Sequence, residues 1–157
     1  MWWRLLLMAT ATLSLLSAQS WSGRVVKVGD GDTLDVLRGK SQVRVRLHGV
    51  DCPELGQPFG ERARQRTGAL AHGQVVTVRE VERDRFGRVV AEVVLPGGES
   101  LNETLVKEGL AWWFRQYAAS NLKLRMLEEE ARDARRGLWA DSKPVAPWVW
   151  RRSSGRK

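Results

Sequence analysis

Apolar and polar residues alternate over Val43-Arg44-Val45-Arg46-Leu47, the pattern of a half-buried strand with Val43, Val45 and Leu47 inward and Arg44 and Arg46 outward. Strand character also runs from Gly23 to Val28. It returns from Thr33 to Leu37 after Gly29-Asp30-Gly31-Asp32, a turn whose glycines tolerate positive φ. Arg38-Gly39-Lys40 then leads into the strand Gln42 to Leu47. Val75, Thr77, Arg79 and Val81 mark a fourth strand, and Asp84-Arg85-Phe86-Gly87 turns into a fifth, Arg88 to Val94. Between the third and fourth strands the period lengthens. Phe59, Ala63, Thr67 and Leu70 recur three or four apart, behind a Pro58 suited to a first helical position and ahead of Gly73. Ser100 and Glu103 have capping-box spacing for a short helix bearing Leu101, Leu105 and Val106, stopped by Gly109. A longer helix is predicted from Ala119 to Arg136, with Leu124, Leu127, Ala131 and Ala134 as its apolar stripe, continued by Leu138 and Trp139. Five short strands leave open edges, and a strongly bent barrel removes them. The predicted fold is therefore α+β, a five-stranded β-barrel plus three helices.

The ends of the chain read differently. Arg4, the apolar run Leu5 to Leu16 and the small residues of Ala18-Gln19-Ser20 have the layout of a secretory signal peptide over residues 1–20. The barrel domain is expected over 21–140, and 141–157 is expected to be a Trp- and Pro-containing segment with a basic, partly disordered tail. Trp148 and Trp150 are expected to pack back on the body. An exported protein, periplasmic or secreted, follows from the leader, with no stable membrane association after cleavage. The formal charge is +8, and arginine is its main source. That balance suits a polyanion, because the guanidinium matches phosphate geometry. Cys52 is the single cysteine, so no disulfide can form within the chain.

Chemistry concentrates at Arg46 to Glu54, R-L-H-G-V-D-C-P-E. A strand-borne cation runs into a turn with two carboxylates, Asp51 and Glu54. Cys52 precedes a proline, which holds it extended and gives its carbonyl a defined direction. Hard oxygen donors beside a guanidinium suit a metal and a phosphate meeting in one place. His48 shares the parity of Arg46 and is expected to face solvent or make a mild phosphate contact. His72, beside Gly73, is expected to cap a helix.

Four patches in order, Asp30-Gly31-Asp32-Thr33, Arg46 to Glu54, Asp84-Arg85-Phe86-Gly87-Arg88 and Gly137-Leu138-Trp139, resemble the staphylococcal nuclease family across Arg24 to Trp139. The resemblance implies an oligonucleotide-binding-type barrel with three helices. It also implies calcium-dependent hydrolysis of phosphodiesters in DNA and RNA, leaving 3′-phosphate ends. By it, Asp32 and Asp51 are the calcium carboxylates, with the Cys52 backbone carbonyl as a further ligand. Glu54 is the residue that activates water, and Arg46 and Arg88 hold the attacked phosphate. Asp30, Thr33 and Asp84 are supporting residues. Tyr117, Arg115 and Arg85 are the expected substrate contacts, on a single-stranded or locally melted substrate and a monomeric protein. Phe86 and Arg115 stand where the best-known member has tyrosines, which bears on the grip on base and terminal phosphate. Trp112, Trp113 and Phe114 offer either stacking surface or core. A noncatalytic exported nucleic-acid-binding barrel is the competing function. It would need basic charge and aromatics, but not Asp32, Asp51, Glu54, Arg46 and Arg88 together.

Overall fold

The computed structural model describes residues 19–155. The leader reading of residues 1–18 lies outside the described residues. Strands β1 (Ser20–Asp30), β2 (Thr33–Arg38), β3 (Ser41–Leu47), β5 (Val75–Arg83) and β6 (Val89–Val94) close a barrel in the order β1-β2-β3-β6-β5. All pairings are antiparallel except β3 with β6, where Val45, Arg46 and Leu47 face Val89, Val90 and Ala91. Closure pairs β1 with β5 from Ser20↔Arg79 to Arg24↔Val75. Shifts in the β1–β2 register at Val25/Lys27 and Val28/Asp30 add the local twist that a small barrel needs. Inward residues Val25, Leu34, Val36, Val45, Leu47, Val76, Val78, Val89 and Val93 fill the interior.

A second, two-stranded sheet joins β4 (Val50–Asp51) to β7 (Trp112–Trp113), with Asp51 opposite Trp112. Among the described residues five helices accompany the sheets: α1 (Gly60–Ala71), α2 (Leu101–Lys107), α3 (Arg115–Ala118), α4 (Leu122–Asp133) and α5 (Pro147–Ser153), with a 3₁₀ turn at Gly137–Ala140. The oligonucleotide-binding type of barrel thus stands, with helices beyond the expected three.

Several boundaries differ from the sequence reading. Helix α1 starts at Gly60 and not at Pro58, because Phe59 takes a left-handed conformation (φ 69°) at the N-cap. Gly60 is required there, since a Cβ would lie 1.9 Å from the Glu54 carbonyl oxygen. The helix predicted from Ala119 to Arg136 is α4, which spans only Leu122–Asp133. Asn121 caps α4 by accepting from Leu124 N–H, and a side chain that satisfies a helix start also ends continuity with the turn before it. Ala134 is exposed and leaves the apolar stripe, which ends at Ala131. The glycines at 29 and 31 do not adopt positive φ. Gly31 serves close approach instead, as a Cβ there would stand 2.7 Å from the Cβ atoms of Ala63 and Cys52. After Asp141 the chain forms α5 from Pro147 to Ser153, and Trp148 packs back on the body as expected.

On the barrel surface, the buried Asp35 carboxylate accepts from Arg44 Nε (2.9 Å), Arg44 Nη2 (3.2 Å) and Gln42 Nε2 (2.8 Å), linking β2 to β3. The hydrogen bonds from Arg44 hold its pKa below the ordinary 3.8. A lowered carboxyl pKa stabilises the fold above the unfolded-state value, and that contribution is lost as pH falls through the lower folded-state value. Asp35→Asn is expected to destabilise the protein at neutral pH by about 1–3 kcal/mol. In urea melts, the difference from wild type should shrink as pH drops below the ordinary value of 3.8.

Candidate active site

The site lies where the β1–β2 turn, the end of β3 and the β4 exit meet. Each piece is held by backbone. Leu47 N–H donates to the Asp32 carbonyl (2.9 Å), and Thr67 Oγ1 of α1 donates to the Gly31 carbonyl (2.6 Å). Asn102 of α2 ties the β3 exit to β6. Its Nδ2 donates to the carbonyls of His48 (2.9 Å) and Ala91 (3.2 Å), and its Oδ1 accepts from Val93 N–H. Glu54 is shaped by Gln57, whose Oε1 accepts the Glu54 N–H (3.0 Å) and whose N–H donates back to the Glu54 carbonyl (2.9 Å).

Arg46 draws the acidic residues together. Its Nη1 is 3.0 Å from Asp32 Oδ2, and its Nη2 is 3.2 Å from Asp51 Oδ1. Nη1 also donates to the carbonyls of Val50 (2.9 Å) and Leu47 (3.2 Å). Outward strand parity predicted an exposed arginine, yet only 15% of this side chain is exposed. The loop from Leu47 to Asp51 folds over it and supplies those carbonyls. Asp32 Oδ2 also accepts the Cys52 N–H (2.7 Å), which links the two acidic loops directly. Burial together with the charge of Asp32 raises the Asp30 carboxyl from 3.8 to about 7. Burial also pushes Asp51 up, against the pull of Arg151 and Arg46.

The donor set fits a hard cation. Asp32 and Asp51 are buried carboxylates brought onto one guanidinium, and the Cys52 backbone follows Asp51 directly. The Cys52 thiol is buried and its pKa is pushed well up by burial, so it offers no thiolate to a soft metal. Among the described residues, no group of three or more His, Cys, Asp or Glu side chains converges as a metal cage. A calcium ion here would complete its shell with the carbonyl and water, as this ion commonly does.

Arg88 is not ion-paired with Asp32, Asp51 or Glu54. Its Nε donates to Asp84 Oδ2 (2.6 Å), and Asp84 Oδ1 accepts the backbone N–H groups of Phe86 and Arg88. Neither Nη of Arg88 has a hydrogen-bond partner among the described residues. The side chain lines an open groove with Asp35, Gln42, Arg44 and Phe86. Arg85 lies over the Phe86 ring (4.8 Å), which is itself 68% exposed. Tyr117 is 58% exposed and leans on Phe114 (5.0 Å), while Arg115 covers the Trp113 ring (4.9 Å). None of the expected substrate contacts is hydrogen-bonded to Asp32, Asp51 or Glu54, and each lies instead against a neighbouring aromatic ring. Of the three neighbouring aromatics, Trp113 is core, with its N–H on Glu128 and its Nε1 on the Ala118 carbonyl. Trp112 packs edge-on against Trp139 and Trp148, and Phe114 stacks on Trp148. His48 is half-buried, and Asn102 of α2 holds its backbone carbonyl. Its Nδ1 is buried without a partner, and burial lowers its pKa.

One site residue escaped the sequence reading. Arg151 of α5 sets Nη2 on Asp51 Oδ2 (2.8 Å) and Nη1 on Glu54 Oε1 (2.6 Å) and Asp51 Oδ1 (3.2 Å). Pro147 at the first helical position and the spacing of Trp148 to Arg151 signal a short helix with both on one face. Nothing local points to partners almost one hundred residues away.

Gly31→Ala is expected to destabilise the protein by about 1–3 kcal/mol, because an added methyl overpacks the seam between α1 and the Cys52 loop. A urea denaturation series reads this directly.

A family model described as staphylococcal nuclease homologue matches residues 44–141. The chain is 43% identical to a micrococcal nuclease of Shigella flexneri, over 93% of this chain and 91% of that one. It is also 43% identical to an uncharacterized endonuclease of Escherichia coli, over 82% and 84% of the two chains. Similarity extends to the staphylococcal-like nuclease CAN1 of Arabidopsis thaliana, 37% identical over 70% of this chain and 33% of that one. With the barrel, the acidic loops and these relatives in agreement, the chain belongs to the staphylococcal nuclease family, a family of nucleic-acid hydrolases.

Proposed function

We propose that the protein is a calcium-dependent phosphodiesterase that cleaves DNA and RNA with water as nucleophile and leaves 3′-phosphate ends. The observation that carries this reading is the Arg46 bridge between Asp32 and Asp51, with Glu54 on the same turn as Asp51. Asp32, Asp51 and the Cys52 carbonyl would hold calcium, which when bound would supply Lewis-acid stabilisation of negative charge on the free phosphate oxygens. Arg46 sets the positions of both carboxylates and places a permanently charged, largely desolvated guanidinium beside the reacting phosphate. Arg88 is braced through Nε by Asp84, so its Nη groups are free to donate to a phosphate entering along the groove. Glu54 takes or orients the proton of the attacking water at its carboxylate. Proline at 53 and the Gln57 bonds hold its backbone still while it does so. Exposed Phe86 and Tyr117 offer ring faces to the unpaired bases of a single-stranded or locally melted substrate.

Single-turnover cleavage of a labelled oligonucleotide tests the roles. Arg88→Ala and Arg46→Ala should each lower the rate by roughly 10²-fold or more, the loss typical of one well-aimed donor. Glu54→Gln should cleave far more slowly while remaining folded. Chelator should abolish wild-type cleavage, and Cys52→Ala should largely retain it because only the backbone is used. Near wild-type rates in folded Arg88 and Glu54 variants would sink the assignment. A wild type that binds strands without cutting them would establish the noncatalytic barrel instead.

Export through the leader belongs to the same proposal. The Gln19 carbonyl accepts from Glu80 N–H, and Ser20 pairs with Arg79, so a cut after Ala18 preserves the full β1–β5 ladder. N-terminal sequencing of the exported protein should begin near Gln19 or Trp21. A product that still starts at Met1 counts against it.

A further inference from the structure

Asp51 presents two oxygens, and they are divided between two cations. Oδ1 is shared by Arg46 and Arg151, whereas the hydrogen bond to Oδ2 comes from Arg151 Nη2 at 2.8 Å. The other terminal nitrogen of Arg151 reaches Glu54 Oε1 at 2.6 Å. One guanidinium therefore spans the carboxylate assigned to the metal and the carboxylate assigned to water.

The placement is built. Gln57, which shapes the Glu54 turn, donates Nε2 to the Val145 carbonyl (2.6 Å) just before α5. Ala146 and Pro147 are buried at the start of the helix. Trp148, one turn before Arg151, stacks on Phe114 at 5.3 Å and meets Trp112 edge-on at 5.5 Å. The helix is thus seated by aromatic packing that does not depend on the ion pair. The Arg151 side chain is 32% exposed and Asp51 only 2%, so the guanidinium covers the carboxylate from the solvent side. A long side chain in that position can swing into water while α5 stays in place.

We propose that Arg151 is a competing cation built into the fold: it neutralises Asp51 and Glu54 when no divalent ion is bound, and it must leave Asp51 Oδ2 before that oxygen can ligate calcium. The inference rests on the calcium reading of the site. Arg151 then sets the cation concentration at which the enzyme switches on, and its departure frees Glu54 for water in the same movement. A divalent ion and the Glu54 proton acceptor become available together.

Calcium binding to the full mature chain, measured by isothermal titration calorimetry without nucleic acid, tests this. Arg151→Gln should lower the Kd roughly tenfold, equivalent to about 1.4 kcal/mol. Arg151→Lys keeps the charge but loses the two-pronged grip and should fall between the two. Arg152→Gln removes the same formal charge from an exposed neighbour and should change Kd little. Arg151→Gln should also melt lower without calcium and gain more on its addition. If wild type binds calcium and Arg151→Gln binds it equally or more weakly, the competition is refuted while the calcium site stands. If Arg152→Gln tightens binding as much as Arg151→Gln, general charge is responsible and the proposal fails. If neither wild type nor Arg151→Gln binds calcium, the metal reading itself falls and takes the proposal with it.

Discussion

The site depends on one buried guanidinium. Arg46 leaves the end of β3 and binds Asp32, Asp51 and two carbonyls of its own exit loop. Without it, two buried carboxylates would repel in a region with little water to screen them. Burial, and after it the charge of Asp32, raises the Asp30 carboxyl to about 7. The β1–β2 turn and the Cys52 loop can close on each other because Arg46 neutralises the seam between them. Gly31 then allows that seam to reach van der Waals contact.

Around this centre the fold divides its labour. The barrel gives Arg46 a rigid strand with a fixed register to β6, whose first residue follows Arg88. Helices α1 and α2 pin the loops through Thr67 and Asn102, neither of which carries charge into the site. The short β4–β7 sheet fixes Asp51 against Trp112 and so connects the acidic loop to the tryptophan cluster. Arg132 lies over the rings of both Trp139 and Trp112, adding cation–π attraction to that cluster. The cluster in turn receives Trp148, and α5 delivers Arg151. A chain of apolar packing thus carries a cation from the end of the sequence to its chemical centre.

Strand periodicity made the barrel legible. The alternation in β3 records one face toward the core and one away from it, and short strands close on themselves to remove edges. The acidic turns, Arg46, Glu54 and the Asp84-to-Arg88 turn were legible as well, because each is a local run whose residue types state their chemistry. Local reading misled where tertiary contacts compete with propensity. Phe59 turned left-handed to let Gly60 approach the Glu54 carbonyl, and Asn121 used its side chain to begin α4 later than the predicted start at Ala119.

By itself, then, the sequence determined five strands and a barrel to close them, the oxygen-rich acidic loops and the family to which the chain belongs. Those properties reside in periodicity and in short motifs, which neighbouring residues specify. The tertiary structure alone decided that Arg46 is buried as a bridge, that Arg88 stands on Asp84 and apart from the carboxylates, and that Arg151 covers Asp51 and Glu54. An ion pair between residues so distant along the chain has no local signature. It exists because barrel closure, the β4–β7 pairing and the packing of Trp148 bring opposite charges within hydrogen-bonding distance.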